Sequence, residues 1–439
     1  MLRRCLMRRM LCMTVFIPYN LPNPMLISYL KIAWKVLLRR KFFTAISLFG
    51  ISFTLMILLV VYAFYDHTVG PHTPEKKVDR LVFVNRMTVG FKTAGSNNGA
   101  PSYGFLERYV RPLRTPETVS ISSYFGSTAA YVGNQKLDVD LKYTDGQFWQ
   151  VLDFDFLEGR PYTMREVGEG AHVVVINERT SRAYFGTPRG VVGRTLVTDR
   201  VRYRVVGVVR NVPGMRFNSY ADAWVPITTG TFDAKEQGLF GNCLAIMLAR
   251  QPADIPAIQA EFDQAMKRVP VPDPKTQDRV SSSASTLLAS LVRWMNNNNG
   301  PNDGVRQLLG KVLAFALLFM LLPALNLVNI NVSRILERTS EIGVRKAFGA
   351  TSGTLIAQFL VENILLTLLG GLLGLGLAAG MLALIDGSGF IPYTTLTLNP
   401  RIFASGLLLS VLFGLLSGVY PAYKMSKLHA VQALKGSGN

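Results

Sequence analysis

The chain has 439 residues, 49% of them hydrophobic, with a net charge of +19 and a mean hydropathy of +0.25. A soluble protein reaches the same apolar fraction, so the distribution of these residues decides the class. They bunch at both ends of the chain, and the excess charge flanks them. Residues 1–41 carry nine Lys/Arg and no acid, 331–353 carry four basic and two acidic groups, and 421–439 carry three Lys and no acid. That is the positive-inside pattern of a membrane protein, and it argues against nucleic acid as the partner of the charge.

In chain order, residues 1–41 form a basic cytoplasmic segment. Its first 24 residues scatter Met, Arg and Pro with no hydrophobic period. They read as a disordered tail or as sequence ahead of a native start at Met25. Phe42–Phe64 is free of charge and long enough to cross about 30 Å of hydrocarbon, giving a first span at 42–64. It is too long for a signal-peptide core. Residues 65–307 then lie outside. Within them Arg80–Asn85, His172–Ile176, Val201–Val209 and Cys243–Leu248 have strand chemistry. Asn177–Phe185 reads as a helix opened by an Asn cap. Ile258, Phe262, Met266 and Val269 recur at helical spacing. Strands mixed with helices predict an α+β domain. Cys243 is the sole cysteine there, so no internal disulfide can form. Asn296–Gly304 (NNNNGPNDG) reads as a linker or turn.

Three further uncharged runs follow: Val312–Ile330 in a span at 308–330, Asn363–Ile385 in a span at 354–385, and Ile402–Tyr423 in a span at 402–423. The charges place 331–353 and 424–439 in the cytoplasm and 386–401 in a short outer loop. The fold class is therefore an α-helical integral membrane protein with four transmembrane helices and one large α+β extracytoplasmic domain. Gly370/Gly374, Gly376/Gly380 and Gly414/Gly418 are each four apart, a spacing that lets helices approach closely in lipid. Packing within one subunit is favoured over a dimer seam. Pro323 and Pro421 are expected to kink or end their helices.

Between the second and third spans, Arg334, Arg338, Glu341 and Arg345 share one helical stripe, and Glu341 can pair with Arg345. Ile342 and Phe348 add apolar contact points, and Gly349-Ala350-Thr351 reads as a turn. On residues alone, this is either a solvated charged loop or a surface that docks a soluble partner. No G-x-x-x-x-G-K-[ST] phosphate loop is present: around Gly310-Lys311, Val312 stands where a hydroxyl is needed and Val305 where the first Gly is needed. Neither HExxH, GxSxG nor CxxC occurs. His67 and His72 read as loop histidines rather than a metal pair.

The segment SEIGVRKAFGAT (Ser340–Thr351) resembles the signature of FtsX/MacB-type ABC transporter permeases. Four more stretches match that family in order. YLKIAWKVLLRRKFFTAISLFGIS (Tyr29–Ser52) is similar to its amphipathic entry helix and first span. FLEGRPYT, HVVVINERTSRAYFG, GVVGRTL and YRVVGVVRNVPG, from Phe156 onward, are similar to the MacB-like periplasmic core. QFLVE (Gln358–Glu362) resembles the start of its third span, and VYPAYKMSKLHAVQALK (Val419–Lys435) its terminal motif.

The resemblance implies a permease in the bacterial inner membrane that dimerises with a second permease subunit, like or unlike itself. It implies an ABC ATPase on a separate chain, which holds ATP and Mg, while this chain binds no cofactor or metal and is no enzyme. Glu337, Arg338, Glu341, Ile342, Arg345 and Lys346 fall in the segment that would couple to that ATPase, with Glu341 and Arg345 as central contacts. ATPase closure would then move the outer domain, acting on a peptide, an antibiotic, a lipoprotein or a partner outside the membrane. The rival expectation is a membrane-anchored sensor or regulator of an envelope enzyme, without transport.

Overall fold

The computed structural model describes residues 24–39, 41–296, 304–337, 343–344, 348–349, 351–388, 396 and 400–426. Helices α1 (Pro24–Arg39) and α2 (Lys41–Val69) come first. The domain that follows contains α3 (Tyr103–Tyr109), α4 (Phe148–Val151), α5 (Met164–Gly168), α6 (Glu178–Phe185), α7 (Ile255–Met266) and α8 (Leu287–Asn296). Helices α9 (Val305–Glu337), α10 (Ser352–Gly387) and α11 (Pro400–Ser426) follow. By contacts it divides into one unit of Met1–Ile57, Leu318–Leu377 and Phe403–Asn439 and another of Leu58–Leu317 and Ala378–Ile402.

Helices Lys41–Val69 and Ile356–Gly387 are long and apolar enough to cross a membrane. Helices α9 and α11 stand where the other two spans are predicted. Large side chains such as Phe42, Phe49, Leu313, Leu384 and Leu408 remain exposed along these helices, as a hydrocarbon solvent permits. All four helices outrun their hydropathy-based bounds, because helical hydrogen bonding continues where apolarity ends. Thus α2 runs five residues past Phe64, and α9 carries on to Glu337. Neither proline ends its helix: α9 continues through Pro323, and α11 continues from Pro421 to Ser426.

In the first unit the glycines set how near the helices come. A Cβ on Gly370 would lie 2.8 Å from Ile51, and one on Gly374 would lie 2.9 Å from the Ser52 carbonyl oxygen. Helix α10 therefore meets α2 almost backbone to backbone, with Ile51 and Leu55 fully buried at the contact. A Cβ on Gly414 would lie 2.5 Å from Thr367 Oγ1 and one on Gly418 3.1 Å from Leu360, so α11 packs on α10 in the same way. Around Gly376 and Gly380 nothing lies within 4 Å among the described residues, so these two play no part in that packing. Gly374→Leu should therefore lower the melting temperature of the full chain in detergent, since overpacking costs about 1–3 kcal/mol. Gly376→Leu should leave it unchanged. Equal melting of the two variants would contradict the close approach.

The outer domain of the second unit has fourteen strands among its described residues: β1 (Leu81–Val84), β2 (Met87–Phe91), β3 (Ser96–Pro101), β4 (Thr118–Ser123), β5 (Gly126–Val132), β6 (Gln135–Thr144), β7 (Phe156–Gly159), β8 (Val173–Asn177), β9 (Thr195–Thr198), β10 (Val201–Val209), β11 (Ala223–Pro226), β12 (Phe240–Gly241), β13 (Cys243–Leu248) and β14 (Gln277–Ser282). The main sheet runs β1-β13-β4-β6-β11-β8-β10-β9-β5, with β7 on β10, and β5 pairs back onto β6. That last pairing closes β6-β11-β8-β10-β9-β5 into a ring.

Residues Ile176, Leu196, Tyr203, Val208 and Val225 form one apolar cluster on this ring. A larger cluster includes Phe83, Phe148, Tyr162 and Trp224. Both β8–β10 and β6–β11 are parallel, and the remaining pairings are antiparallel. Strands β12-β3-β2-β14 make a second sheet.

Local chemistry explains the helices. Asn177 Oδ1 accepts from Thr180 N at 2.8 Å to open α6, and Gly186 closes it with φ of 77°. Helix α7 buries Ile258 and Phe262 completely, each contributing about 1.5–3 kcal/mol.

Candidate functional site

The sequence-predicted coupling residues divide by what the structure describes. Glu337 is the last residue of α9. Arg338, Glu341, Ile342, Arg345 and Lys346 lie outside the described residues. Beyond them Gly349 turns the chain with φ of 89°, a conformation that glycine adopts without a Cβ clash. Thr351 Oγ1 then accepts from Thr354 N at 3.2 Å and caps α10. Phe348, just before the turn, is 89% exposed.

At the other end of α2 the helix enters the outer domain through a buried charge pair. Arg216 Nη1 donates to Glu75 Oε2 at 2.7 Å, and Nη2 donates to the Gly70 carbonyl oxygen at 2.7 Å. Ser219 Oγ donates to the second Glu75 oxygen at 2.9 Å. The two charged side chains are 1% and 0% exposed. Such a pair must be hydrogen-bonded on both sides to offset the loss of water, and the Ser219 and Gly70 contacts supply those bonds.

The turn that positions Arg216 is fixed by its own backbone, with Ser219 N and Tyr220 N both donating to Arg216 O. The next layer is aromatic. Trp224 Nε1 donates to Ser219 O at 3.2 Å, and its ring packs edge-on to Phe154 and Trp149.

The strap after α2 is stitched to the same body. Lys76 pairs with Asp155 and Lys77 with Asp153, each at 2.9 Å, and Asp153 N donates to Pro74 O at 2.8 Å. Inside the last turns of α2, Asp66 pairs with His72 at 3.1 Å and lies 3.7 Å from Arg401 at the start of α11. Asp386, near the end of α10, accepts from Leu396 N at 2.9 Å. Asp66 thus links the end of α2 to the start of α11, while Asp386 fastens the segment after α10.

His67 and His72 do come together, with ring centroids 5.4 Å apart. Yet His72 is turned to Asp66, and no group of three or more His, Cys, Asp or Glu suited to a metal occurs among the described residues. Burial pushes the Cys243 thiol up to about 12, away from the reactive thiolate. Lys142 is fully buried in β6, and its Nζ donates to Ser123 O at 2.6 Å. Burial brings its ammonium down to about 7, against a smaller opposing pull from Cys243 and Glu75. Sequence reasoning missed both Glu75 and Arg216, which stand in stretches that read as loops.

Beside the pair lies a cavity of about 650 Å³ that reaches from Thr68, in the last turn of α2, to Trp294 in α8.

Comparison with known proteins places these features in a family. The model of the MacB-like periplasmic core domain matches residues 44–265, and that of the FtsX-like permease C-terminal region matches residues 313–430. The chain is similar to the uncharacterized ABC transporter permease YknZ of Bacillus subtilis, with 25% identity over 78% of this chain and 82% of that protein. It is similar to the macrolide export ATP-binding/permease protein MacB of Bdellovibrio bacteriovorus, with 30% identity over 63% of this chain. The matched stretch spans only 41% of that protein's length. Among solved structures, the periplasmic region of MacB from Actinobacillus actinomycetemcomitans matches 49% of this chain and 94% of that one, at 15% identity and a TM-score of 0.33.

Proposed function

Because the chain belongs to the family of FtsX-like ABC transporter permeases with a MacB-like periplasmic core domain, we propose that it converts ATP hydrolysis on a separate ATPase subunit into movement of its extracytoplasmic domain. The observation that carries this reading is the Arg216–Glu75–Gly70 junction at the end of α2. One continuous helix of 29 residues packs against α10 near Ile51 and ends in that buried clamp. In this reading the helix carries displacement from its inner part to the domain.

In this reading α2, α9, α10 and α11 are the four spans of a multi-pass protein of the bacterial inner membrane. Two permease subunits pair, and each presents the segment around Glu341 and Arg345 to an ATPase that holds ATP and Mg. Exposed Phe348 adds an apolar anchor to that surface. This chain binds no nucleotide, since its sequence has no phosphate loop. The work is done outside, on a peptide, an antibiotic or a lipoprotein.

Purification of the full chain from its own membranes tests the proposal. An ABC ATPase should copurify, and its turnover should rise when the chain is present. A preparation that carries no ATPase, and stimulates none, would overturn it.

A further inference from the structure

The cavity beside the Arg216–Glu75 pair has the chemistry of an amphiphile site. Its apolar wall includes Phe217, Leu287, Leu291 and Trp294, and its polar wall includes Arg86 and Arg216. Phe217 and Trp294 are 51% and 71% exposed, so large apolar side chains stand at the rim without cover. Among the described residues the only acid in the lining is Glu75, and both its oxygens already accept hydrogen bonds from Arg216 and Ser219. Among the described residues this lining holds two arginines and one carboxylate, and Arg86 Nη1 also donates to the Arg293 carbonyl oxygen. Arg216 Nε is buried and makes no hydrogen bond among the described residues, and a donor left unmade is costly.

Position narrows the ligand. Thr68 lies in the final turn of α2, one of the helices able to cross a membrane. Trp294 lies near the end of α8, shortly before α9 begins. The cavity thus lies where the chain leaves and re-enters its long apolar helices, the level at which lipid headgroups and Trp side chains meet. We propose that it binds an anionic lipid of the outer leaflet, with the headgroup on Arg86 and Arg216 and the acyl chains against Leu287, Leu291 and Trp294. This rests on the membrane reading of α2 and α9 but not on ATPase coupling, so ATPase copurification and lipid binding can fail independently.

The test uses the full chain in phosphatidylcholine nanodiscs, titrated with brominated-chain phosphatidylglycerol or brominated-chain phosphatidylcholine. The readout is the quenching lost on Trp294→Phe, which isolates Trp294 from the other tryptophans. Phosphatidylglycerol should quench this component at about tenfold lower mole fraction than phosphatidylcholine, the worth of one charge-assisted contact. Arg86→Gln should remove that preference. Ala100→Phe, which fills the cavity, should abolish quenching by both lipids while the near-ultraviolet signal of half-buried Trp149 and buried Trp224 persists. Inorganic phosphate should not compete. Equal quenching by the two lipids, no Trp294 quenching, or displacement by phosphate alone would each overturn the assignment.

Discussion

Arg216→Met should destabilise the outer domain more than any other single change at the junction. The substitution keeps much of the aliphatic bulk but leaves the Glu75 carboxylate, 0% exposed, without its partner. It also frees the Gly70 carbonyl that anchors the end of α2. Breaking a buried pair from one side costs roughly 3–5 kcal/mol, because the surviving charge stays desolvated. For a domain of this size that corresponds to a fall in melting temperature of about 10 °C.

Thermal unfolding of the full chain, followed through the near-ultraviolet signal of the adjacent Trp149–Trp224 cluster, reads the effect. The double variant Glu75→Leu/Arg216→Met should recover most of the loss, since an apolar pair of similar volume carries no buried charge. If the double variant is as unstable as the two single losses added, the two residues act independently and the clamp is misassigned.

If the proposed coupling holds, Arg345→Glu should separate the chain from its ATPase while leaving it inserted and folded. Arg338, Glu341 and Arg345 belong to the charged stretch between the second and third apolar runs of the sequence, and the proposed coupling assigns the ATPase contact to them. Truncating one partner of a buried interfacial ion pair costs about 2–5 kcal/mol, enough to weaken docking well over tenfold. Reversal adds repulsion and should exceed the effect of Glu341→Ala. Phe348→Ala should weaken docking without altering its salt dependence, because its contribution is apolar. Copurification and ATPase stimulation in nanodiscs measure all three. Parent-like binding by Arg345→Glu would remove this segment from the coupling surface.

Much of the outer domain was legible because its elements carry local signals. Strands β10 and β13 have their full predicted bounds, and α6 begins at the Asn177 cap. The family itself was readable from motifs in order, since these combine many positions. The junction was not legible, for a physical reason. Glu75 and Arg216 are 141 residues apart, and a polar residue in a Pro- and Lys-rich stretch has the same local pattern whether it is solvated or buried.

Lys142 misleads in a similar way. Strict alternation in β6 would put Leu141 and Lys142 on opposite faces with one exposed, yet both are buried: Leu141 joins an apolar cluster and Lys142 Nζ donates to Ser123 O. Hydropathy likewise located the apolar runs but not the helix ends, since α2 and α9 continue on hydrogen bonding alone. The glycine pairs all had the same spacing, and only the neighbouring helix separates Gly370 and Gly374 from Gly376 and Gly380.

The central claim is that ATP on another subunit moves the outer domain of this chain. A Cys-free chain carrying Lys41→Cys, at the start of α2, and Asn134→Cys, at the turn between β5 and β6, would be labelled with a fluorophore pair and assembled with its ATPase in nanodiscs. Energy transfer between the labels should change when ATP is added and revert on hydrolysis, and Arg345→Glu should abolish the change. Steady energy transfer while the docked ATPase turns over would contradict the account.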